Sequence, residues 1–317
     1  MRQADPHSQI FEGERRRLAG LAYRMTGSVA ETDDILQDAA LKFRDADLSG
    51  IDRPARWLST VVMRLCLDHL RSARVRRETY VGAWLPDPLI ADHAPGAEEE
   101  WILTEDVGIA LILTLDSLTP EMRAAFILRD AFDYSFEEIG LLVDKTPTAC
   151  RQLVSRARRR LAGAEPADPP SSETDHPLVT AFWEASRQGD MDRLLALFAE
   201  DIEVHTDGGG RVKAAINVLN GSRNAARLFA GLARKRTLPV GPCPPLRWIN
   251  GSPGFVSIEG GVLQTTALSI RRGRIEAIWI MRNPDKLKHL RLQMSARRFR
   301  RTGVDALADA FPTTDVI

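Results

Sequence analysis

The stretch that most constrains the fold is Phe136–Leu161, FEEIGLLVDKTPTACRQLVSRARRRL, which reads as two short helices joined by a tight turn. Ser135 and Glu138 form the S-x-x-E pattern of a capping box, which satisfies two otherwise orphaned amides at a helix start. Ile139, Leu142 and Val143 give that helix its apolar face. Asp144 and Lys145 make the turn, Thr146 is a good N-cap, and Pro147 occupies a first helical position. In the second helix Cys150, Leu153, Val154, Ala157 and Leu161 recur at helical spacing and form one stripe. The opposite face carries Thr148, Arg151, Gln152, Ser155, Arg158 and Arg159. Such groups on a helix can reach base edges and phosphates in a major groove. The pattern also suits an arginine-rich solvated helix that ends a domain, and alone it leaves both readings open.

A length of 317 residues allows two or three domains, and 44% hydrophobic content is ample for folded cores, which excludes a disordered chain. The formal net charge is zero, but the charges are unevenly placed. Arg71, Arg74, Arg76 and Arg77 form one basic run and Arg156, Arg158, Arg159 and Arg160 another, with Glu98, Glu99, Glu100, Glu105 and Asp106 between them. Local patches govern contact with nucleic acid, so the zero total argues little either way. Cys66, Cys150 and Cys243 are widely spaced in apolar contexts, as buried thiols in a reducing compartment would be. No Cys/His spacing suggests zinc, and no metal or cofactor is expected. No stretch reaches the roughly 18 apolar residues of a membrane span, and no signal peptide is evident. A soluble cytoplasmic protein is expected.

From Ile10 to about Arg44 the pattern is helical, with a break at Thr26–Ser28 and a new start near Glu31. Ile35, Ala39 and Phe43 face inward there, while Asp33, Asp34, Gln37 and Asp38 form an acidic outer stripe. That stripe suits solvated surface or a docking face for a basic partner. A further helix starts near Pro54, with Trp57, Leu58, Val61, Val62, Leu65 and Leu70 apolar. Arg64, Asp68, Arg71, Arg74, Arg76 and Arg77 decorate its other side. The spacing of Trp57 makes it a core residue before a base-stacking platform. Two candidate DNA-contact surfaces therefore lie on one chain.

Here the chain resembles a bacterial sigma factor of the extracytoplasmic-function type. AETDDILQDAALKF looks like the part of region 2 that docks on core RNA polymerase, and WLSTVVMRLCLDHLRSARVRR like the part that melts and reads the −10 element. LDSLTPEMRAAFILRDAFDYSFEEIGLLVDKTPTACRQLVSRARRRL is similar to region 4, whose recognition helix reads the −35 element. The resemblance implies that Asp34, Gln37 and Asp38 face polymerase. It places Arg64, Asp68, Arg71, Arg74, Arg76 and Arg77 at the −10 strand, and Thr148, Arg151, Gln152, Ser155, Arg158 and Arg159 at the −35 duplex. Many members carry Asn where this chain has Arg64, a departure that bears on −10 base capture. A basic surface tracking a single strand offsets the lost pairing of melted DNA.

Tyr80–Gly96, YVGAWLPDPLIADHAPG, is rich in proline and glycine and reads as an ordered or semi-ordered connector. Trp84 and Leu85 imply that it packs against something. AGAEPADPPSSETD after Leu161 marks a flexible boundary. Beyond it come helices over His176–Gln188 and Met191–Phe198, a strand over Asp201–His205, a glycine turn at Asp207–Arg211 and a helix over Gly221–Lys235. Four strands follow, Leu246–Ile249, Gly254–Glu259, Leu263–Arg271 and Arg274–Met281. This order predicts an α+β domain with its helices on one face of a curved antiparallel sheet. The segment resembles the SnoaL-like branch of the nuclear-transport-factor-2-like superfamily, a cone-shaped fold with an interior pocket. Some SnoaL-type enzymes are cyclases with an acid/base carboxylate. His205, Asp207 and Glu259 are the candidates here, but no paired constellation appears, no catalytic residue is assigned and the chain is not expected to be an enzyme.

The combination resembles the sigma-factor subgroup with a fused SnoaL-like extension, whose members show WLPEPL, DGGGK and NPDKL. This chain has WLPDPL at Trp84–Leu89, DGGGR at Asp207–Arg211 and NPDKL at Asn283–Leu287. The resemblance implies two all-α sigma domains, a region 2 helical bundle and a region 4 helix-turn-helix, followed by an α+β SnoaL-like domain. The corresponding boundaries are 8–79 for region 2, 80–104 for a linker, 105–163 for region 4, 164–175 for a second linker, 176–292 for the SnoaL-like domain and 293–317 for a tail. The implied partners are core RNA polymerase and promoter DNA, and the extension is expected to regulate the sigma regions in cis. Trp84, Leu85 and Pro86 would dock on Asp207, Gly208, Gly209, Gly210 and Arg211 and on Asn283, Pro284, Asp285 and Lys286. An alternative is that these are only a hairpin turn and a strand exit. A small-molecule ligand in a pocket formed in part by Trp183, Trp248 or Trp279 stays open. Two rivals remain: a helix-turn-helix repressor or activator with a ligand-binding domain, and a bifunctional protein whose last domain is a working cyclase or isomerase.

Overall fold

The computed structural model describes residues 5–78, 80–91, 108–161, 172–235 and 241–291, with the side chains of 73–78 and 172–173 outside that set. In chain order come helices α1 (Pro6–Thr26), α2 (Val29–Arg44) and α3 (Pro54–Glu78), strand β1 (Ile90–Ala91), then α4 (Ile109–Asp116), α5 (Pro120–Asp130), α6 (Phe136–Val143) and α7 (Pro147–Leu161). They are followed by α8 (Ser172–Gln188), α9 (Met191–Leu197), β2 (Phe198–Asp207), β3 (Leu219–Asn220), α10 (Ser222–Lys235), β4 (Arg247–Ile249), β5 (Ser252–Glu259), β6 (Val262–Arg271) and β7 (Arg274–Met281).

Gly27 ends α1 in the left-handed conformation at φ 68°, which a residue without Cβ adopts cheaply, and Ser28 caps α2. Helices α1 to α3 and α5 to α7 bury one continuous apolar core, with Leu18, Met25, Phe43, Leu58, Met63 and Cys66 on one side and Met122, Leu128, Ile139, Cys150 and Val154 on the other. Trp57 packs against this core, its ring 5.6 Å from that of Phe43, as its spacing predicts. Arg123 locks the two groups of helices together. It is buried and donates to the carbonyls of Leu115 and Met25 and to Asp116, and burial lowers its pKa to about 10.

Among the described residues seven strands form one sheet in the order β1-β4-β5-β6-β7-β2-β3. Its pairing is mixed, not the wholly antiparallel arrangement expected, because β2 lies parallel to β7. The parallel pair needs a long crossover, which here carries β3, α10 and β4 to β6. The domain's own helices lie on one face, and the other face is covered from outside the domain and by Leu287. Helices α8 to α10 cover one face, with Phe182, Phe198, Phe229 and Ile278 in that core. The other face of β6 and β7, through Leu263, Ala267, Trp279 and Met281, packs on Leu85 of the linker, Ile109 of α4 and Leu287. Strands buried on both faces read as nearly continuous apolar runs, which is how Ala277–Met281 reads.

Candidate nucleic-acid interface and linker junction

The α6–α7 unit is built as its sequence requires. The Ser135 hydroxyl accepts from the Glu138 amide and the Glu138 carboxylate from the Ser135 amide. Asp144 makes the turn at φ 54°, and Gly140 is needed because a Cβ there would meet the Lys145 carbonyl oxygen at 2.5 Å. The apolar stripe of α7 is buried through Cys150, Leu153, Val154 and Ala157. Thr148, Arg151, Gln152, Ser155, Arg158 and Arg159 all stand exposed on the opposite face. Arg151 stacks on Phe136, 4.9 Å from its centroid, and Arg158 pairs with Asp130 at 2.7 Å.

On α3, Arg64, Asp68 and Arg71 are exposed along one side. The side chains of Arg74, Arg76 and Arg77 lie outside the described residues. Arg71 sits 3.6 Å from Asp68 and 3.7 Å from Glu121 at the start of α5. Nearby, Arg56 of α3 forks onto Glu138 and stacks on Tyr134 at 3.9 Å, so the α6 capping box is also a contact point for α3. Asp34, Gln37 and Asp38 line the exposed face of α2. Among the described residues no helix is long and apolar enough to cross a membrane, and no cluster suited to a metal ion occurs.

The linker brings the three motifs together. Lys286 donates to the Leu85 carbonyl and to Asp207 at 2.9 Å, and its ammonium lies 4.4 Å from the Trp84 ring centroid. Asp207 is buried and also accepts from the Leu85 amide, the Tyr80 hydroxyl and the Gly209 amide. Burial, then the Asp207 carboxylate, pushes the Tyr80 phenol up, which keeps it a donor. Gly209 sits at φ 58° with Asn283 where its Cβ would be. Gly208 and Gly210 are similarly confined by Val212 and Val81. Arg211 meets Asp285 at 3.4 Å in an exposed pair, and Asp285 donates its amide to the Asn283 side chain, the turn that Pro284 spans.

On its other side the linker grips α1 and α2. Pro86, Asp87 and Pro88 are buried, and Asp87 accepts from the Ser28 hydroxyl and the Val29 amide at the start of α2. Burial raises the Asp87 pKa, against the nearby Lys286 and these donors. Tyr23 of α1 donates to the Asp87 carbonyl and accepts from Asn250, whose side-chain oxygen takes the Leu89 amide. β1 then pairs with β4, Ile90 opposite Ile249, so the linker adds a strand to the sheet. Tyr23, Tyr80, Asn250 and His289, which contacts the Pro88 carbonyl, are junction residues that the motifs do not include.

Between the sheet and α8 and α10 lies a cavity of about 630 Å³. Trp183 lines it, whereas Trp248 and Trp279 do not. Of the acid/base candidates only Glu259 lines it, paired with Arg187 at 2.6 Å. His205 pairs with Glu203 outside, and Asp207 belongs to the junction. The three are not brought together.

Comparison with known proteins bears on these surfaces. Residues 10–76 match Sigma-70 region 2 and residues 109–161 match Sigma-70, region 4. The chain is 34% identical to the ECF RNA polymerase sigma factor SigJ of Mycobacterium tuberculosis, over 90% of this chain and 96% of that protein. The chain belongs to the ECF RNA polymerase sigma factors. This sigma factor is also 30% identical to the probable ECF RNA polymerase sigma factor SigI of the same species, across 93% of this chain and 99% of that one. Its structure matches the crystal structure of M. tuberculosis SigJ with a TM-score of 0.70 and 31% identity, covering 89% of this chain and 98% of the other. In this ECF sigma factor the C-terminal extension is therefore part of the architecture shared with SigJ.

Proposed function

We propose that this ECF sigma factor directs core RNA polymerase to promoters, with α3 reading the −10 element, α7 the −35 element and the Asp34, Gln37 and Asp38 face of α2 docking on the polymerase. The carrying observation is the exposed Arg, Gln and hydroxyl face of α7 over its buried stripe, on a chain whose α3 presents a second charged face. Bidentate side chains on a helix read major-groove edges, and arginines hold phosphates.

The extension regulates this in cis. Elements about 25 base pairs apart lie roughly 85 Å apart along duplex DNA at 3.4 Å per step. Here α3 and α5 to α7 share a core, and Arg71 leans on Glu121. Simultaneous contact with both elements requires that core to part. The linker bound to Asp207, Lys286 and Asn250 sets how far it can do so. Run-off transcription with core polymerase and genomic fragments tests both statements. The full chain should give specific starts, and Lys286→Met should keep the start sites while changing their yield. Duplex binding without polymerase and without specific starts would favour a repressor instead.

A further inference from the structure

We propose that the cavity between the sheet and α8 and α10 is a receptor site for an apolar organic anion, and that its occupancy is felt at the linker junction. The inference deepens the cis-regulatory reading above and rests on it. The volume of about 630 Å³ falls within the range of small-molecule sites. One wall is aromatic: Phe182 meets Phe229 edge-on at 5.1 Å, and Trp183 meets Phe255 at 5.0 Å. That wall suits an apolar body.

Charge sets the other requirement. Arg187, Lys213, Lys235 and Arg282 line the cavity against a single carboxylate, Glu259. Glu259 is already matched by Arg187, with both side chains under a tenth exposed. The remaining lining is cationic at the mouth, where Lys213 and Lys235 are exposed. A cationic guest would have to take Glu259 from Arg187, whereas an anionic head meets complementary charge, strengthened beside low-dielectric walls.

The wall is continuous with the junction. The Thr206 hydroxyl donates to the Ala215 carbonyl at 3.0 Å, and Arg282 donates to the Lys213 carbonyl at 2.8 Å. The residue after each donor is a junction residue, Asp207 at the end of β2 and Asn283 just beyond β7. The amides of Arg282 and Asn283 both donate to the Asp207 carbonyl, at 2.7 and 2.9 Å. Ala215 and Ile216 also lie directly beside Gly82 of the linker. A guest that moves segment 213–215 must shift the frame that holds Leu85.

The test uses the full chain and anilinonaphthalene sulfonate, a fluorescent apolar anion. It should bind at one site per chain, and Leu228→Trp, which fills the cavity, should abolish that site. Decanoate should displace it at concentrations about tenfold below those needed with decanol or decyltrimethylammonium, which differ only in the head group. Lys213→Glu with Lys235→Glu should lose that preference with an unchanged melting temperature. Saturating decanoate should change amide exchange over residues 82–89. Equal displacement by the three compounds, a preference that survives the double substitution, or unchanged exchange at the linker would each overturn the proposal. Binding is read here without transcription, so those failures leave the junction's role to the run-off comparison.

Discussion

The Lys286 ammonium lies 2.9 Å from the Asp207 carboxylate, and neither side chain is more than 13% exposed. Breaking a buried pair by removing one partner leaves the other charge uncompensated. Lys286→Met should therefore destabilise the chain by about 3 kcal/mol, read as a lowered denaturation midpoint with faster amide exchange at Leu85. The double variant with Asp207→Asn should lose less than the sum of the single changes, because the same contact is removed twice. Additive losses would show that the two groups are not coupled.

Asp87 should give the junction a pH dependence of opposite sign to an ordinary ion pair. Its folded-state pKa is raised, chiefly by burial, so the native state binds more protons than the unfolded state in the carboxylate range. This contribution is favourable at low pH and is lost as pH rises from the ordinary carboxylate range through the raised value. Asp87→Asn keeps an acceptor for the Val29 amide and removes the charge. The difference in stability between this variant and the original chain should grow in favour of the variant as pH rises, measured by urea unfolding at several pH values. A flat difference would contradict the assignment.

How much of this was legible in the sequence follows from what each feature depends on. Helices α2, α3, α6 and α7 were readable because their apolar periodicity and caps, Ser135 with Glu138 and Thr146 with Pro147, are local. The parallel pairing of β2 with β7 was not, since the partner of Val204 is Ile278, and no local pattern specifies it. Strand β1 is two residues long, too short to show alternation, and its register is set by Ile249 far along the chain. The three motifs around Trp84, Asp207 and Lys286 are visible in the sequence only through resemblance, and the fold brings them into contact through the Lys286 ammonium. Tyr23, Tyr80 and Asn250 carried no signal, because a lone Tyr or Asn looks the same in any loop or helix. The Gly209–Asn283 contact required the fold to become visible.

The Arg56–Glu138 contact between α3 and α6 can be separated from the capping box it shares. Both side chains are about a third exposed, so solvent screening limits the pair to about 0.5–1 kcal/mol. Glu138→Gln keeps an acceptor for the Ser135 amide and should cost only that amount, whereas Glu138→Ala removes the box as well and should cost about 1 kcal/mol more. The hydrogen bond from Arg56 holds the Glu138 pKa low, so this stabilisation is present at neutral pH and lost as pH falls through the carboxylate range. Glu138→Gln should also widen the particle in small-angle scattering if the contact holds α3 against α6, and an unchanged radius of gyration would argue that the shared core alone suffices.

Arg151 and Arg158 occupy the same face of α7 but are held differently, and this predicts different consequences for promoter use. Arg151 stacks on Phe136 and is pre-oriented toward the outside of the helix, as a base-reading arginine needs to be. Arg151→Ala should weaken use of a preferred −35 element by about 1–3 kcal/mol, and less so for altered elements. Arg158 is braced by Asp130 at 2.7 Å, so its charge is partly spent within the protein. Arg158→Ala should weaken all templates to a similar extent and reduce the salt dependence of binding, the signature of a lost phosphate contact. Run-off yields across a set of −35 substitutions at two salt concentrations separate the two. If both substitutions reduce every template equally, α7 positions the complex on the backbone without reading its sequence through Arg151.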